Sequence, residues 1–322
     1  MNNKPRFKFA ILMLSLVLVA CSGGSAEAGC PEIDNREINV VATTPMIGEF
    51  VSQVGGDNIN LTVLMPPEAD PHTYDPAPQD AGKIADADLV FYTGLKYEPA
   101  ALIKLLENSA CSAEVLAEVG ENVFPIEFKE GGHDEEGHDD HAGHDHGAYD
   151  PHFWFDPNRV AYAAEYIESK LVEFDPSNAS DYEAAGKAYV TELKGLVGQV
   201  SELISTIPSQ NRKLITTHES LGYLEAKFGL EVLSTIIPSL DSANEISPSQ
   251  LVGVIDLIED NNVKVIFIEA EAPSVYAETI VAETGIRPVE GLWVETLKEG
   301  QSYPEFLFEA VELIVENLRN TD

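Results

Sequence analysis

Three histidines stand apart from the other five in the chain, because each lies in a distinctive short motif. His72 lies in ADPHTYDPAP, His152 in YDPHFWFDPN and His218 in ITTHESLGY. The two Asp-Pro-His segments place an imidazole on stiff, non-helical backbone, since proline fixes φ and removes a hydrogen-bond donor. Neutral imidazole is the commonest protein ligand for zinc, copper, nickel and iron. One such histidine is usually structural, whereas three together predict a metal site.

A carboxylate beside three histidines completes a tetrahedral zinc shell. The candidate is Glu295 in PVEGLWVETLKEG, which we expect in a loop after a late strand. Glu219, Glu269 and Glu271 compete for this role. Glu219 has an alternative as an acid at a helix start, and the other two as surface acids at a strand end. Residue spacing leaves these alternatives open.

The remaining five histidines fall in a tract of Gly, Asp and His, which we predict to be a disordered loop over 131–148: His133, His138, His141, His144 and His146. Almost nothing in the tract is apolar, so it cannot fold by burial. Ordering such a loop costs roughly 1–2 kcal/mol per residue, which makes it a poor high-affinity site. We predict an auxiliary loop that collects metal, with solvated filler as the alternative.

The scaffold around these motifs alternates strand and helix in both halves of the chain. Apolar, β-branched runs such as VKVIFIEA (263–270) are separated by helices of about 10 residues. This alternation predicts parallel strands and an α/β fold with two lobes, 37–174 and 209–322. His72 follows a predicted strand and His218 ends one, so both fall at the strand ends where α/β sheets bind ligands.

Residues 175–208, between the two lobes, are predicted to form one helix. Asp175 can cap it, Pro176 suits its first turn and Pro208 ends it. Apolar residues recur every three or four positions, and about 30 residues at 1.5 Å each give roughly 45 Å. A helix of this length would be a stiff strut that allows only small lobe movements.

The start of the chain predicts export. A positively charged beginning precedes the apolar run FAILMLSLVLVA, which is too short to span a bilayer. Residues 1–20 are therefore predicted to be a signal peptide. The following LVAC resembles a bacterial lipobox, in which the cysteine becomes the lipidated first residue. We expect Cys21 to carry the lipid anchor and 21–36 to form the tether.

Two further cysteines, Cys30 and Cys111, remain once Cys21 is lipidated. An even pair in an exported chain predicts one disulfide, with two separate thiols as the alternative. Neither has a second Cys or His at ligand spacing, which argues against a two-cysteine zinc site.

The formal net charge of −36 bears on the choice of partner. Nucleic acid is excluded as an expected partner, because binding it needs clustered Lys and Arg. A cation suits the sign of the charge, although bulk charge provides solubility and steering rather than a site.

Four motifs together resemble a known family. PPEADPHTYDPAP, YDPHFWFDPNRV, the DPSN start of the long helix and LITTHESLGYL resemble, in this order, the cluster A-I metal-binding lipoproteins of ABC transporters. The zinc-uptake type is the most similar, and the resemblance runs from about residue 38 to the C-terminus. It implies two Rossmann-like lobes joined by a rigid helix, with the metal site in the inter-lobe cleft.

The resemblance also implies the ligands: His72, His152, His218 and the acid at 295 would hold Zn²⁺ for delivery to a membrane permease. Related sequences usually have Asp where this chain has Glu295, which departs from the pattern. Manganese and iron binders tend to have Glu at the third position, so His218 favours zinc, as does the His-rich loop. Four protein ligands leave no place for an activated water, so we expect no enzymatic activity. We also expect the protein to be a monomer.

Three other functions stay open. A zinc hydrolase would use three histidines and a water. His218-Glu219 begins like HExxH, but Gly222 occupies the second histidine position. The same scaffold could carry manganese or iron, although manganese prefers oxygen ligands. Relatives of this architecture are also described as adhesins, for which no residue pattern speaks here.

Overall fold

The computed structural model describes residues 30, 33, 36–128, 149–242, 244–271 and 275–319. The predicted signal peptide, Cys21, most of the tether and the five tract histidines lie outside these residues. Among the helices of the described ranges, none has both the length and the apolar character that crossing a bilayer requires.

The first lobe contains a four-stranded parallel sheet in the order β2-β1-β3-β4. Its elements are β1 Ile38–Ala42, α1 Pro45–Gly55, β2 Ile59–Val63, α2 Pro78–Ala85, β3 Leu89–Tyr92, α3 Ala100–Ser109 and β4 Leu116–Glu118. α1 begins where the Thr44 hydroxyl accepts a hydrogen bond from the Ile47 amide, with Pro45 in its first turn. The predicted parallel pairing is confirmed.

Two helices lead from the first lobe to the second, α4 Pro157–Phe174 and α5 Ala179–Ser205. α5 begins after a 3₁₀ turn at Pro176–Asn178 rather than at Asp175. Its 27 residues span about 40 Å. Buried side chains such as Leu193 and Val200 lie on the face that packs against α1, α4 and α9 (Tyr303–Arg319).

The second lobe repeats the plan of the first, with strand order β6-β5-β7-β8. Its elements are β5 Lys213–His218, α6 Gly222–Phe228, β6 Glu231–Ile237, α7 Pro248–Asn261, β7 Val265–Glu269, α8 Val275–Thr284, β8 Arg287–Leu292 and α9. β8 contains Pro288 and Gly291, which are tolerated because it is an edge strand. Both lobes are therefore α/β, as predicted.

One continuous apolar core runs through both lobes and α5. It includes Ile38 of β1, Leu193 of α5, Leu214 of β5 and Phe306 of α9. Smaller cores cover the other face of each sheet, around Ile84 in the first lobe and Ile258 in the second. Because the main core is shared, the two lobes are packed as one body around the cleft between them.

Cys30 and Cys111 form a disulfide, with a Cα–Cα distance of 5.0 Å. The predicted disulfide is therefore confirmed, and the alternative of two separate thiols is wrong. The bond ties the beginning of the described chain to the segment after α3.

Candidate metal centre

The four predicted ligands meet at one point between the lobes. The Nε2 atoms of His72, His152 and His218 lie 3.5, 3.2 and 2.7 Å from the same carboxylate oxygen, Oε1 of Glu295. One ligand atom from each residue can be chosen so that all four lie within 4.8 Å of one another. The four residues are far apart in the sequence, so the fold alone brings them together.

His72 is placed by a turn after β2. Pro71–Thr73 form one 3₁₀ turn, which Asp70 caps by accepting a hydrogen bond of 3.0 Å from the main-chain amide of His72. The second oxygen of Asp70 accepts a hydrogen bond from Ser242 of the other lobe at 3.3 Å. The Asp-Pro-His motif thus fixes the backbone of His72 and connects it to the second lobe.

His152 uses the same motif with one further contact. One oxygen of Asp150 accepts hydrogen bonds from the main-chain amide of His152 at 2.8 Å and from its Nδ1 at 2.7 Å. In the neutral ring the carboxylate therefore holds the proton on Nδ1, which makes the lone pair of Nε2 the one available to a metal. A carboxylate behind a histidine is the usual support for a histidine that binds metal.

His218 is the last residue of β5, and Glu269 at the end of neighbouring β7 holds it. Glu269 accepts hydrogen bonds from Nδ1 of His218 at 2.5 Å and from its main-chain amide at 3.2 Å. Ser220 donates a further hydrogen bond to Glu269 at 3.1 Å. Parallel strands end at the same edge of a sheet, which is why these two residues meet.

Glu295 follows β8 and is held from two sides. Its Oε2 accepts a hydrogen bond of 2.9 Å from the hydroxyl of Tyr97, which belongs to the first lobe. One oxygen of Glu271 accepts hydrogen bonds from three consecutive amides, those of Val294, Glu295 and Thr296, at 3.0, 2.9 and 3.3 Å. The loop is thus fixed with Oε1 towards the histidines.

The competing acids have other partners. Glu269 stands behind His218, Glu271 holds the loop of Glu295, and Glu219 accepts a hydrogen bond of 3.0 Å from Thr235. Glu269 and Glu271 are thus not surface acids, because both are tied into the support of the site. Only Glu295 directs an oxygen to the point where the three Nε2 atoms meet.

The site has a strongly perturbed charge balance. Burial lowers the pKa of His152, but the charges of Glu295 and Asp150 outweigh it and raise the pKa to about 9. Burial opposes protonation of His218 as well, yet Glu269 and Glu295 raise its pKa well above the usual value. Burial raises the pKa of Glu295, and the three nearby histidines lower it well below its usual range. These pKa shifts favour an ionised Glu295 beside protonated His152 and His218.

Two of the converging nitrogens are orphaned. Within the described residues, the buried Nε2 atoms of His72 and His218 have no partner in hydrogen-bond geometry, although Oε1 of Glu295 is 2.7 Å from the latter. Oε1 of Glu295 is therefore close to Nε2 of His218, but the direction between them does not allow a good hydrogen bond. We regard the Nε2 atoms of His72 and His218 as poorly satisfied. Buried orphan nitrogens that face one point fit a cation, which would occupy all their lone pairs.

The four donor atoms are of the types that zinc binds, and the distances between them approximately fit a zinc ion. Zinc binds imidazole nitrogen at about 2.0–2.1 Å, which places tetrahedral ligands about 3.4 Å apart. The ligand atoms lie within 4.8 Å of one another, so a bound ion would bring the most distant pair closer together by about 1.4 Å.

Aromatic rings close the cleft around the ligands. Trp154 lies edge-on to His152 at 5.5 Å and donates a hydrogen bond of 2.8 Å from its indole nitrogen to the carbonyl of Val294 in the second lobe. The side chains of His152, His218 and Glu295 are fully shielded from solvent, and that of His72 retains 4% exposure. His72 is thus the least buried of the four side chains, although its Nε2 atom is itself buried.

Comparison with known proteins places this geometry in a family. Residues 40–317 match the family described as zinc-uptake complex component A, periplasmic. The match covers most of the chain. The chain belongs to this family. It is an extracytoplasmic metal-binding subunit of an ABC importer, which implies a membrane permease and ATPase as partners, and it is not an enzyme.

Individual relatives are named for different metals. The chain is 30% identical over 321 residues to the high-affinity zinc uptake system protein of Bacillus subtilis, covering 96% of each chain. It is 26% identical over 284 residues to the manganese-binding lipoprotein of Halalkalibacterium halodurans, covering 88% of this chain and 87% of that one. The periplasmic zinc-binding protein of Treponema pallidum shares the fold, with a TM-score of 0.75 at 22% identity over 88% of this chain and 99% of that one.

Sequence reasoning missed two supporting residues, Asp150 and Tyr97. A signal for Asp150 was present, because both Asp-Pro-His motifs place an acid two residues before the histidine. Tyr97 had no such signal. α3 begins only at Ala100, and Tyr97 lies in the turn before it.

Proposed function

We propose that this protein captures Zn²⁺ and delivers it to the permease of its ABC importer, with His72, His152, His218 and Glu295 as ligands. One observation carries the proposal: three imidazole nitrogens and a carboxylate oxygen, supplied by both lobes, lie within 4.8 Å of one another in a buried cleft. Zinc takes four nitrogen and oxygen ligands in a tetrahedron, and this set supplies them.

The chemistry of the proposed site is binding without reaction. Four protein ligands fill the shell of a zinc ion and leave no position for a water nucleophile. Asp150 and Glu269 orient two of the imidazoles, so little side-chain ordering remains to be done when the ion arrives. Binding displaces protons from the imidazoles, and protonation opposes it.

Manganese is the second candidate cargo, because relatives at 26% and 28% identity are named for it. Manganese favours carboxylate, carbonyl and water oxygens. Three imidazoles with one carboxylate supply at most two protein oxygens, which favours zinc over manganese.

The proposal also covers how the protein is attached to the membrane and how zinc is collected before it binds. We propose a monomer that is attached to the membrane through a lipid on Cys21, and a His-rich tract that collects zinc beside the cleft. Deletion of residues 131–147 should then leave tight one-to-one zinc binding in calorimetry. Loss of that binding would mean that the tract, rather than the cleft, holds the ion.

Three measurements test the choice of cargo. Metal-free protein is titrated with Zn²⁺, Mn²⁺ and Fe²⁺, and crystals of the loaded protein are measured at the zinc absorption edge. Most nitrogen and oxygen sites bind zinc more tightly than manganese, so affinity alone does not decide. A strain lacking the gene, grown in chelated medium, supplies the decisive comparison between zinc and manganese rescue.

We expect one zinc per chain, an anomalous peak among the four ligands, and growth that zinc rather than manganese restores. Replacement His218→Ala serves as the binding-deficient control and should fail to restore growth. Rescue by manganese alone would transfer the proposal to manganese, and an anomalous peak away from these residues would overturn the site.

A further inference from the structure

Tyr97 touches the candidate ligand Glu295 from the opposite lobe. The tyrosine is 1% exposed, and its hydroxyl lies 2.9 Å from Oε2 of Glu295 and 2.9 Å from the main-chain carbonyl of the same residue. All three histidine Nε2 atoms approach the other oxygen, Oε1. The two oxygens of the Glu295 carboxylate therefore have different partners. Oε1 lies near the histidines, and Oε2 accepts the hydrogen bond from the phenol.

We propose that Tyr97 is a specificity-determining residue, which keeps Glu295 monodentate and so limits the metal shell to four ligands. The inference rests on the proposed function, because it needs the cation to bind among the four side chains. With Oε2 held by the phenol, the carboxylate offers one oxygen. A four-ligand shell suits zinc, whereas manganese needs more oxygen ligands than this shell provides.

The turn that carries Tyr97 is strained, which supports a functional placement. Gly94, Leu95 and Lys96 have φ values of 75°, 54° and 64°, so three consecutive residues are left-handed, two of them not glycine. Such conformations cost free energy and persist where the surroundings impose them, often at functional sites.

Two carboxylates hold the strained turn in place. Glu98 accepts hydrogen bonds from the amides of Thr93 at 2.6 Å and Gly94 at 2.9 Å, and Glu118 accepts one from Leu95 at 2.9 Å. A Cβ at Gly94 would lie 2.0 Å from Oε1 of Glu118, so only glycine fits there. The hydroxyl position of Tyr97 is thus fixed by the first lobe, independently of Glu295.

Replacement Tyr97→Phe removes the hydroxyl and keeps the ring, which packs edge-on against His72 at 5.2 Å and Trp154 at 5.3 Å. Tyr182→Phe is the matched control, because Tyr182 is also buried and donates a hydrogen bond of 2.8 Å to a carboxylate, that of Asp175, away from the cleft. Both variants and the wild type are loaded with Zn²⁺, Mn²⁺ and Co²⁺. The readouts are competition affinities and the visible spectrum of the cobalt form.

We expect the ratio of zinc to manganese association constants to fall about tenfold in Tyr97→Phe, the size of one hydrogen bond to a charged group. The intense cobalt bands of a four-coordinate site should weaken as the freed oxygen joins the shell. Tyr182→Phe should match the wild type in both the ratio of association constants and the cobalt spectrum. An unchanged ratio and spectrum in Tyr97→Phe would overturn this inference while the proposed function stands, whereas a wild type with no zinc in the cleft would overturn both.

Discussion

The three histidines of the cleft differ in how firmly their rings are held. His152 and His218 each have a carboxylate on Nδ1, from Asp150 and Glu269. Asp70 instead accepts a hydrogen bond from the main-chain amide of His72. Two candidate ligands are thus oriented through their rings, while His72 is fixed mainly through its backbone.

Replacement Asp150→Asn should weaken zinc binding by about 10- to 100-fold, as is usual when the carboxylate behind a ligand histidine is removed. The amide keeps the size of the side chain and loses the charge that favours the needed tautomer. Asp156→Asn is the control, since Asp156 caps α4 and asparagine caps equally well. Equal losses in the two variants, measured by competition with a chelator, would contradict the orienting role.

Zinc binding should release at least one proton per ion at pH 7. The raised pKa of His152, about 9, means that the imidazole is protonated below that pH in the metal-free protein. His218 has its pKa raised in the same direction. Affinity should therefore increase as the pH rises towards 9 and fall as it decreases. Calorimetry in buffers of different ionisation enthalpy counts the protons, and a count near zero would refute the charge balance described for the cleft.

At the scale of elements, strongly patterned segments were predictable from sequence and contacts between lobes were not. α4 has a capping Asp156 and a proline in its first turn, and β7 is mostly a run of apolar residues. β4 is only three residues long, and the pattern of β8 is interrupted by Pro288 and Gly291. The Tyr97–Glu295 contact joins residues 198 positions apart, so no local pattern contains it. By contrast, the repeated Asp-Pro-His motif carried enough local information to single out His72 and His152.

The long helix α5 contains glycines that its strut role does not need. Gly195 and Gly198 are exposed, and an added Cβ at either would meet nothing within 4 Å. Replacement of either by alanine should raise the free energy of unfolding by about 1 kcal/mol, because glycine is a poor helix former.

Zinc affinity should stay unchanged in these glycine variants, since α5 supplies no ligand. Gly186→Ala is the contrasting variant, in which the free energy of unfolding should not rise. Its Cβ would lie 2.1 Å from the carboxylate of Glu168. Chemical denaturation of the three variants, with zinc titrations alongside, checks both statements. A lower affinity in the Gly198 variant would show that α5 bends when metal binds.

At the scale of the whole molecule, hydrogen bonds that cross the cleft tie the lobes together. Trp154 donates to Val294 at 2.8 Å, and Tyr303 donates to the carbonyl of Trp154 at 2.7 Å. The amide of Glu68 donates to the carbonyl of Leu297 at 3.2 Å. With the shared core, these bonds favour small adjustments around the ion over wide opening of the lobes.

Zinc at the proposed site should stabilise the whole chain, because the candidate ligands come from both lobes and lie together only in the folded protein. At a free zinc concentration about 1,000 times the dissociation constant, the free energy of unfolding should rise by about 4 kcal/mol. The unfolding temperature should increase by several degrees in scanning calorimetry, and a chelator should reverse the change. An increase confined to one of two unfolding transitions would mean that a single lobe holds the metal.

The near-complete burial of the candidate ligands has a consequence for how cargo enters and leaves. Among the four side chains, that of His72 alone keeps any exposure, 4%, and its Nε2 atom is buried. An ion can therefore reach the four atoms only when side chains or loops at the cleft move. We expect the rate of metal exchange to depend on this movement of the protein rather than on diffusion of the ion.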